Sequence, residues 1–163
     1  SGGSHEQGLD ESASQRVDAW KAAAKMAMHH PITGVGLENY YHNYFQYTTY
    51  WRGKALHAHS IWFQVLAELG VPGLLLFLSL IIYTFTTSRQ LIRYLSDGDP
   101  PHHPMLLDAA KGVFVGMVGF CIAGSFLNHA FSWMFYLLFS LNIALKHIAE
   151  KEIQIEKNSV MSR

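Results

Sequence analysis

Three apolar blocks, about Leu69–Phe85, Ala109–Leu127 and Phe131–Ile148, constrain this 163-residue chain more than any other feature it has. Each approaches the ~20 residues a helix needs to cross a hydrocarbon layer of about 30 Å. Half of the residues are hydrophobic and only 15% are charged. That is too few charges to solvate the outer faces of three such helices in a soluble bundle. The pattern predicts an all-α membrane protein with three transmembrane helices, about 69–87, 109–127 and 131–148, inside a region 65–149. Ahead of them it places a flexible lead-in, 1–13, and a helical loop, 14–64; a charged tail, 150–163, follows.

Within the loop, Ser14 is a candidate N-cap, and Val17, Trp20, Ala24, Ala27 and Met28 recur at helical spacing. The helix should stop at His29-His30-Pro31, because a residue before proline is pushed out of the helical region. Ile32 to Asn39, with Gly34 and Gly36, reads as a turn; no strand leads into it as a phosphate loop would require. Tyr40 to Trp51 is dense in amphipathic rings, Tyr41 and Tyr44 among them. These rings suit either an interfacial aromatic belt or a platform for a polar, partly apolar ligand such as a sugar. From His57 to Gly73 the chain passes from polar to apolar, with His57 and His59 at the mouth of the first apolar block. Ser60 or His59 starts that helix, and Gly70-Val71-Pro72-Gly73 should kink it.

Arg89 and Arg93 lie in the first linker, Lys146, Lys151, Lys157 and Arg163 flank the end of the chain, and the Asn128 turn has no positive residue. Cytoplasmic loops carry the excess of Lys and Arg, so the first linker and the tail belong inside and residues 1–60 outside, in the periplasm of a Gram-negative cell. Net charge is zero, which gives no reason to expect a nucleic-acid partner. The single cysteine, Cys121, excludes an internal disulfide framework.

An imidazole with an ordinary pKa near 6.5 is suited to general-base work, and His59 is the best placed of the ten histidines. His57 and His59 could start a zinc site, but no Cys or nearby carboxylate completes a tetrahedral set, so no metal is expected. Arginine suits phosphate because its planar fork gives paired, charge-assisted hydrogen bonds. Arg16 and Arg52 are the candidates outside the membrane. A base beside a diphosphate clamp at a lipid surface is what group transfer from a lipid-diphosphate donor requires.

The run Ser14-Gln15-Arg16-Val17-Asp18-Ala19-Trp20, then His30-Pro31-Ile32-Thr33-Gly34-Val35-Gly36-Leu37-Glu38-Asn39-Tyr40, then His57-Ala58-His59-Ser60 leading into Ala67-Glu68-Leu69-Gly70-Val71-Pro72-Gly73, resembles the O-antigen ligase family of bacterial membrane proteins. The family includes lipopolysaccharide O-antigen ligases, O-antigen polymerases and protein O-oligosaccharyltransferases. The resemblance implies a multi-pass enzyme of the bacterial inner membrane, with its site facing the periplasm, that moves a glycan from undecaprenyl diphosphate to an acceptor hydroxyl without metal or other cofactor. His59 matches the family's essential histidine and Arg16 the loop arginine on the diphosphate. Arg52, His57, Tyr41 and Tyr44 would complete the substrate-binding surface. The chain, which opens Ser1-Gly2-Gly3-Ser4, would be the C-terminal part of a polytopic glycosyltransferase, inactive without the remaining transmembrane helices. Ser60 stands where many members have Asn, a form associated with ligases that accompany exopolysaccharide or exosortase systems. The alternatives are a polysaccharide polymerase and a non-catalytic membrane module that binds or transports saccharide.

Overall fold

A computed structural model describes residues 3–49, 51, 53–97, 103–127 and 130–161. Arg52, the linker residues 98–102 and the Asn128-His129 turn lie outside the described residues. Among those described there are five helices and no strand: α1 Gly3–His29, α2 Tyr40–Tyr47, α3 Ile61–Leu95, α4 Pro104–Gly124 and α5 Trp133–Met161. Helices α3 and α4 are long and apolar enough to cross a membrane. Only 33% of the most apolar part of α3 and 28% of that of α4 is buried, whereas the core helix of a soluble bundle is mostly buried. Helix α5 covers the third expected span but is less uniformly apolar, with Asn142, Lys146 and His147 inside it.

The chain forms two compact units. The first comprises 1–78 and 122–130. Its helix α1 starts at Gly3, well before the Ser14 start expected from capping. No proline interrupts residues 1–30, and Glu6, Gln7, Leu9 and Glu11 are all compatible with a helix. The buried stripe of α1 is also not the one its largest side chains mark. Ala19, Ala22, Ala23 and Met26 are fully buried, while Val17 and Met28 are exposed. Alanines at i, i+3 and i+4, with Met26 at i+7, let Tyr40 and Tyr44 of α2 and Ala58 and Ala67 pack close against the helix. Tyr40 donates its hydroxyl to the Ala19 carbonyl at 2.9 Å.

Helix α3 breaks at Gly70, whose φ of 68° and ψ of −168° are non-helical. A break frees carbonyls from the preceding leg and an amide from the following one, and each needs a partner. The turn after α1 supplies three. Val35 and Gly36 donate their amides to the carbonyls of Ala67 and Glu68 at 2.9 and 3.0 Å, and Val71 donates its amide to the Pro31 carbonyl at 2.8 Å. The fit is close enough that a Cβ on Gly34 would run into the Glu68 backbone, and one on Gly70 would lie 2.6 Å from the Pro31 oxygen. Both glycines also have positive φ. The Glu68 carboxylate, buried with its residue, accepts the amides of Glu38 at 3.1 Å and Tyr40 at 3.3 Å. It thereby caps the start of α2, where Asn39 makes no side-chain cap. Charge-assisted bonds of this kind are worth about 1.5–3 kcal/mol each. Pro31–Tyr40 and Ala67–Gly73 are therefore two halves of one physical joint. On the other side of α3, Trp62 donates its indole N–H to Ser125 Oγ at 3.0 Å.

The second unit, 79–121 with 131–163, is built from the remainder of α3 with α4 and α5. Its core gathers Leu91, Leu95, Leu107, Ala110, Val113, Leu145 and Ala149. Ser88 donates to Asn142 Oδ1 at 2.8 Å, both residues being buried. Of the small residues on α4, Gly116 packs against Leu138 of α5, while a Cβ at Gly112 or Gly119 would meet open space. Among these three glycines, close packing on α5 is therefore confined to Gly116.

Candidate active site

Arg16 and Trp20 sit one turn apart on α1, so they share a face. Trp20 stacks on Phe63 with centroids 5.2 Å apart and planes 9° from parallel. Its indole N–H donates to the Ala58 carbonyl at 2.8 Å. Ala58 is buried, while His57 and His59 on either side of it are exposed. The tryptophan thus pins the middle of the histidine segment, and Arg16 comes with it to the histidines.

His59 has φ 45°, in the left-handed region that non-glycine residues seldom occupy and in which histidine is among the enriched types. Such backbone strain costs of order 1–3 kcal/mol and is held by surrounding contacts. Here the contacts are the Trp20 bond on one side and, on the other, buried Ser60, whose carbonyl accepts the Gln64 amide at the first turn of α3. The His57 and His59 rings meet edge-on with centroids 6.2 Å apart, and Tyr41 stacks on His57 at 5.0 Å.

The imidazole of His59 is held below its ordinary pKa, first by desolvation, then by the Arg16 charge, then by His57. At neutral pH it is therefore the uncharged, proton-accepting form. Protonation on the acid side removes the base, and neutralising Arg16 should move that loss to higher pH. In a histidine-labelled NMR titration, Arg16→Met should raise the His59 midpoint, His57→Gln should raise it less, and Arg16→Lys should leave it nearly in place. An unmoved midpoint in Arg16→Met would separate the two residues.

Beside His57 opens a cleft of about 390 Å³ lined by Glu38, Tyr40, Tyr41, His57, Ala58, Gln64 and Glu68. The structure thus brings Arg16, His57, His59 and Tyr41 to one neighbourhood. It places Tyr44 elsewhere: this ring is 1% exposed, packs in the core beside Tyr40, and accepts a hydrogen bond from Thr48. Tyr44 lies one turn along α2 from Tyr41 but is turned into the core, and it does not line the cleft. Arg52 lies outside the described residues. Among those described, no three His, Cys, Asp or Glu side chains are placed to share a metal ion.

Three residues here escaped the sequence reading as site members: Trp20, Gln64 and Glu68. Trp20 carries the one available signal, its spacing of four from Arg16. Glu68 is an acid inside an apolar run, and burial with two amide partners is its explanation.

No curated protein and no solved structure matches the chain. Residues 2–78 do match a family profile, that of O-antigen ligase, and this stretch holds α1, the docked turn, both histidines and the kink of α3. Across residues 2–78, just under half of its length, the chain is similar to the O-antigen ligase family.

Proposed function

We propose that this membrane protein transfers a glycan from an undecaprenyl-diphosphate donor to an acceptor hydroxyl at the periplasmic face of the bacterial inner membrane. The observation that carries the reading is the Trp20–Ala58 bond, which holds a neutral histidine beside an arginine at the mouth of an apolar helix. His59 takes the proton of the acceptor hydroxyl as its oxygen attacks the anomeric carbon. The bond from that carbon to the diphosphate oxygen breaks, the undecaprenyl diphosphate departs with the electron pair, and Arg16 stabilises its charge. His59 then releases the proton to water. No metal is used in this scheme, since Arg16 supplies the positive charge. Helix α5 crosses the membrane with α3 and α4, which puts Arg89, Arg93 and the tail lysines on the cytoplasmic side.

The test is transfer in membranes of cells that lack their own ligase and express the full-length gene to which this chain belongs, supplied with lipid-linked glycan. Wild type should yield glycosylated acceptor together with undecaprenyl diphosphate. Arg16→Met should lower the rate by roughly 10²–10³-fold, the usual loss when one group that stabilises transition-state charge is removed. Transfer at the wild-type rate in Arg16→Met would overturn the role given to the arginine.

A further inference from the structure

Among the described residues, the side-chain oxygen of Gln64 is buried with no hydrogen-bond partner, and Gln64 lines the cleft beside His57. Chemistry orients its amide. The side chain bonds to the Glu68 carboxylate, an acceptor, so the NH2 group faces Glu68 and the carbonyl oxygen is the orphan. A buried acceptor without a donor is unfavourable, and a ligand hydroxyl that draws the Gln64 oxygen toward the cleft its residue lines removes that cost.

The other groups in the cleft decide what kind of ligand fits. Both Glu68 oxygens already accept backbone amides, and the Tyr40 hydroxyl is committed to Ala19. A phosphate would face Glu38, Glu68 and the Gln64 oxygen and would be repelled. Tyr41, 44% exposed and stacked on His57, offers a flat apolar face at the mouth. A volume of about 390 Å³ lies in the range of small-molecule sites, ~300–1,000 Å³. A sugar ring has what the cleft lacks: hydroxyl donors along its edge and an apolar C–H face for an aromatic ring.

We infer that this cleft is a subsite for one uncharged sugar ring, with Gln64 Oε1 accepting a ring hydroxyl, Tyr41 lying against the ring face, and the anion kept apart at Arg16. The inference rests on the glycan-transfer reading and adds to it a second, acceptor-lined compartment. The ring could belong to the donor glycan or to the acceptor, which share this chemistry.

The experiment is saturation-transfer NMR on the chain in nanodiscs, with methyl hexopyranosides and their monodeoxy analogues as probes. A hexopyranoside should bind wild type, one monodeoxy analogue should bind about three- to ten-fold more weakly, and Gln64→Met should lose a similar factor with no further loss for that analogue; this is the worth of one neutral hydrogen bond. The deoxy comparison uses wild type alone and so stands even if Gln64→Met does not fold. Absence of glycoside binding by wild type, equal binding of every deoxy analogue, or displacement of the glycoside by pyrophosphate would each overturn the subsite. In the transfer assay, a raised KM for the acceptor with unchanged kcat in Gln64→Met assigns the ring to the acceptor, and a raised KM for the donor assigns it to the donor. The two readings fail separately. Undiminished transfer in a His59 variant that still binds glycoside removes the catalytic role and leaves the subsite. Transfer by a wild type that binds no glycoside does the reverse.

Discussion

His59→Asn should lower glycan transfer by roughly 10²–10⁴-fold, the contribution of a positioned general base, while the protein reaches the membrane at its normal level. Asparagine is the informative replacement because of the backbone. His59 sits at φ 45°, and Asn accepts left-handed geometry better than other non-glycine residues. The histidine segment should therefore stay pinned through the Trp20–Ala58 bond, and the substitution removes the imidazole without moving its neighbours. His59→Ala would confuse the two effects, since alanine tolerates left-handed geometry less well than asparagine or histidine. The assay is transfer per unit of blotted protein. Wild-type transfer in His59→Asn would make the histidine a structural residue and end the base assignment. A parallel loss in protein level would point to folding instead, and protease protection of α1 distinguishes that case.

How much of this was legible in the sequence depends on whether each feature is local. The apolar blocks are local, and α3 and α4 are where they predict; the kink follows from Gly70 and Pro72. Tyr41 and Tyr44 look alike as letters in a ring-rich segment, yet the fold buries one and leaves the other exposed. Tyr40 and Tyr44 are four apart and are buried together, while Tyr41, about 100° around the helix from Tyr40, stays exposed at the cleft mouth. The buried stripe of α1 was missed because its members are mostly alanines, which mark close approach rather than bulk. Nothing local shows that the turn at Gly34 belongs on the kink at Gly70, since that pairing lies in backbone hydrogen bonds across the fold. The same holds for Trp20, whose indole bond to a backbone carbonyl leaves no trace at Ala58. The proximity of Arg16 and His59 was accessible from the family resemblance, and its physical cause only from the structure.

That pairing yields the second large effect: Gly34→Ala should destabilise the first unit by about 2–5 kcal/mol. Two costs combine. At φ 63° an alanine pays about 1–2 kcal/mol for left-handed backbone, and its Cβ would run into the carbonyl group of Glu68. The second cost cannot be relieved by a side-chain rotation, because the obstacle is the backbone at the end of a helical leg. Overpacking of this kind costs about 1–3 kcal/mol before any hydrogen bond is lost. Relief would require the turn to lift, which withdraws the amides of Val35 and Gly36 from Ala67 and Glu68 and loosens the carboxylate bonds that start α2. Since α2 carries Tyr41, and Ala67 and Ala58 share a core with α1, lifting the turn also disperses Arg16, His57 and His59. Transfer should therefore fall along with thermal stability, although Gly34 touches no substrate in the proposed scheme. Gly112→Ala is the control. On α4 the added methyl meets nothing within 4 Å, and both readouts should stay near wild type. A Gly34→Ala protein with unchanged melting temperature and transfer would mean that the turn is not docked on the kink in the membrane, and the joint that positions the site would have to lie elsewhere.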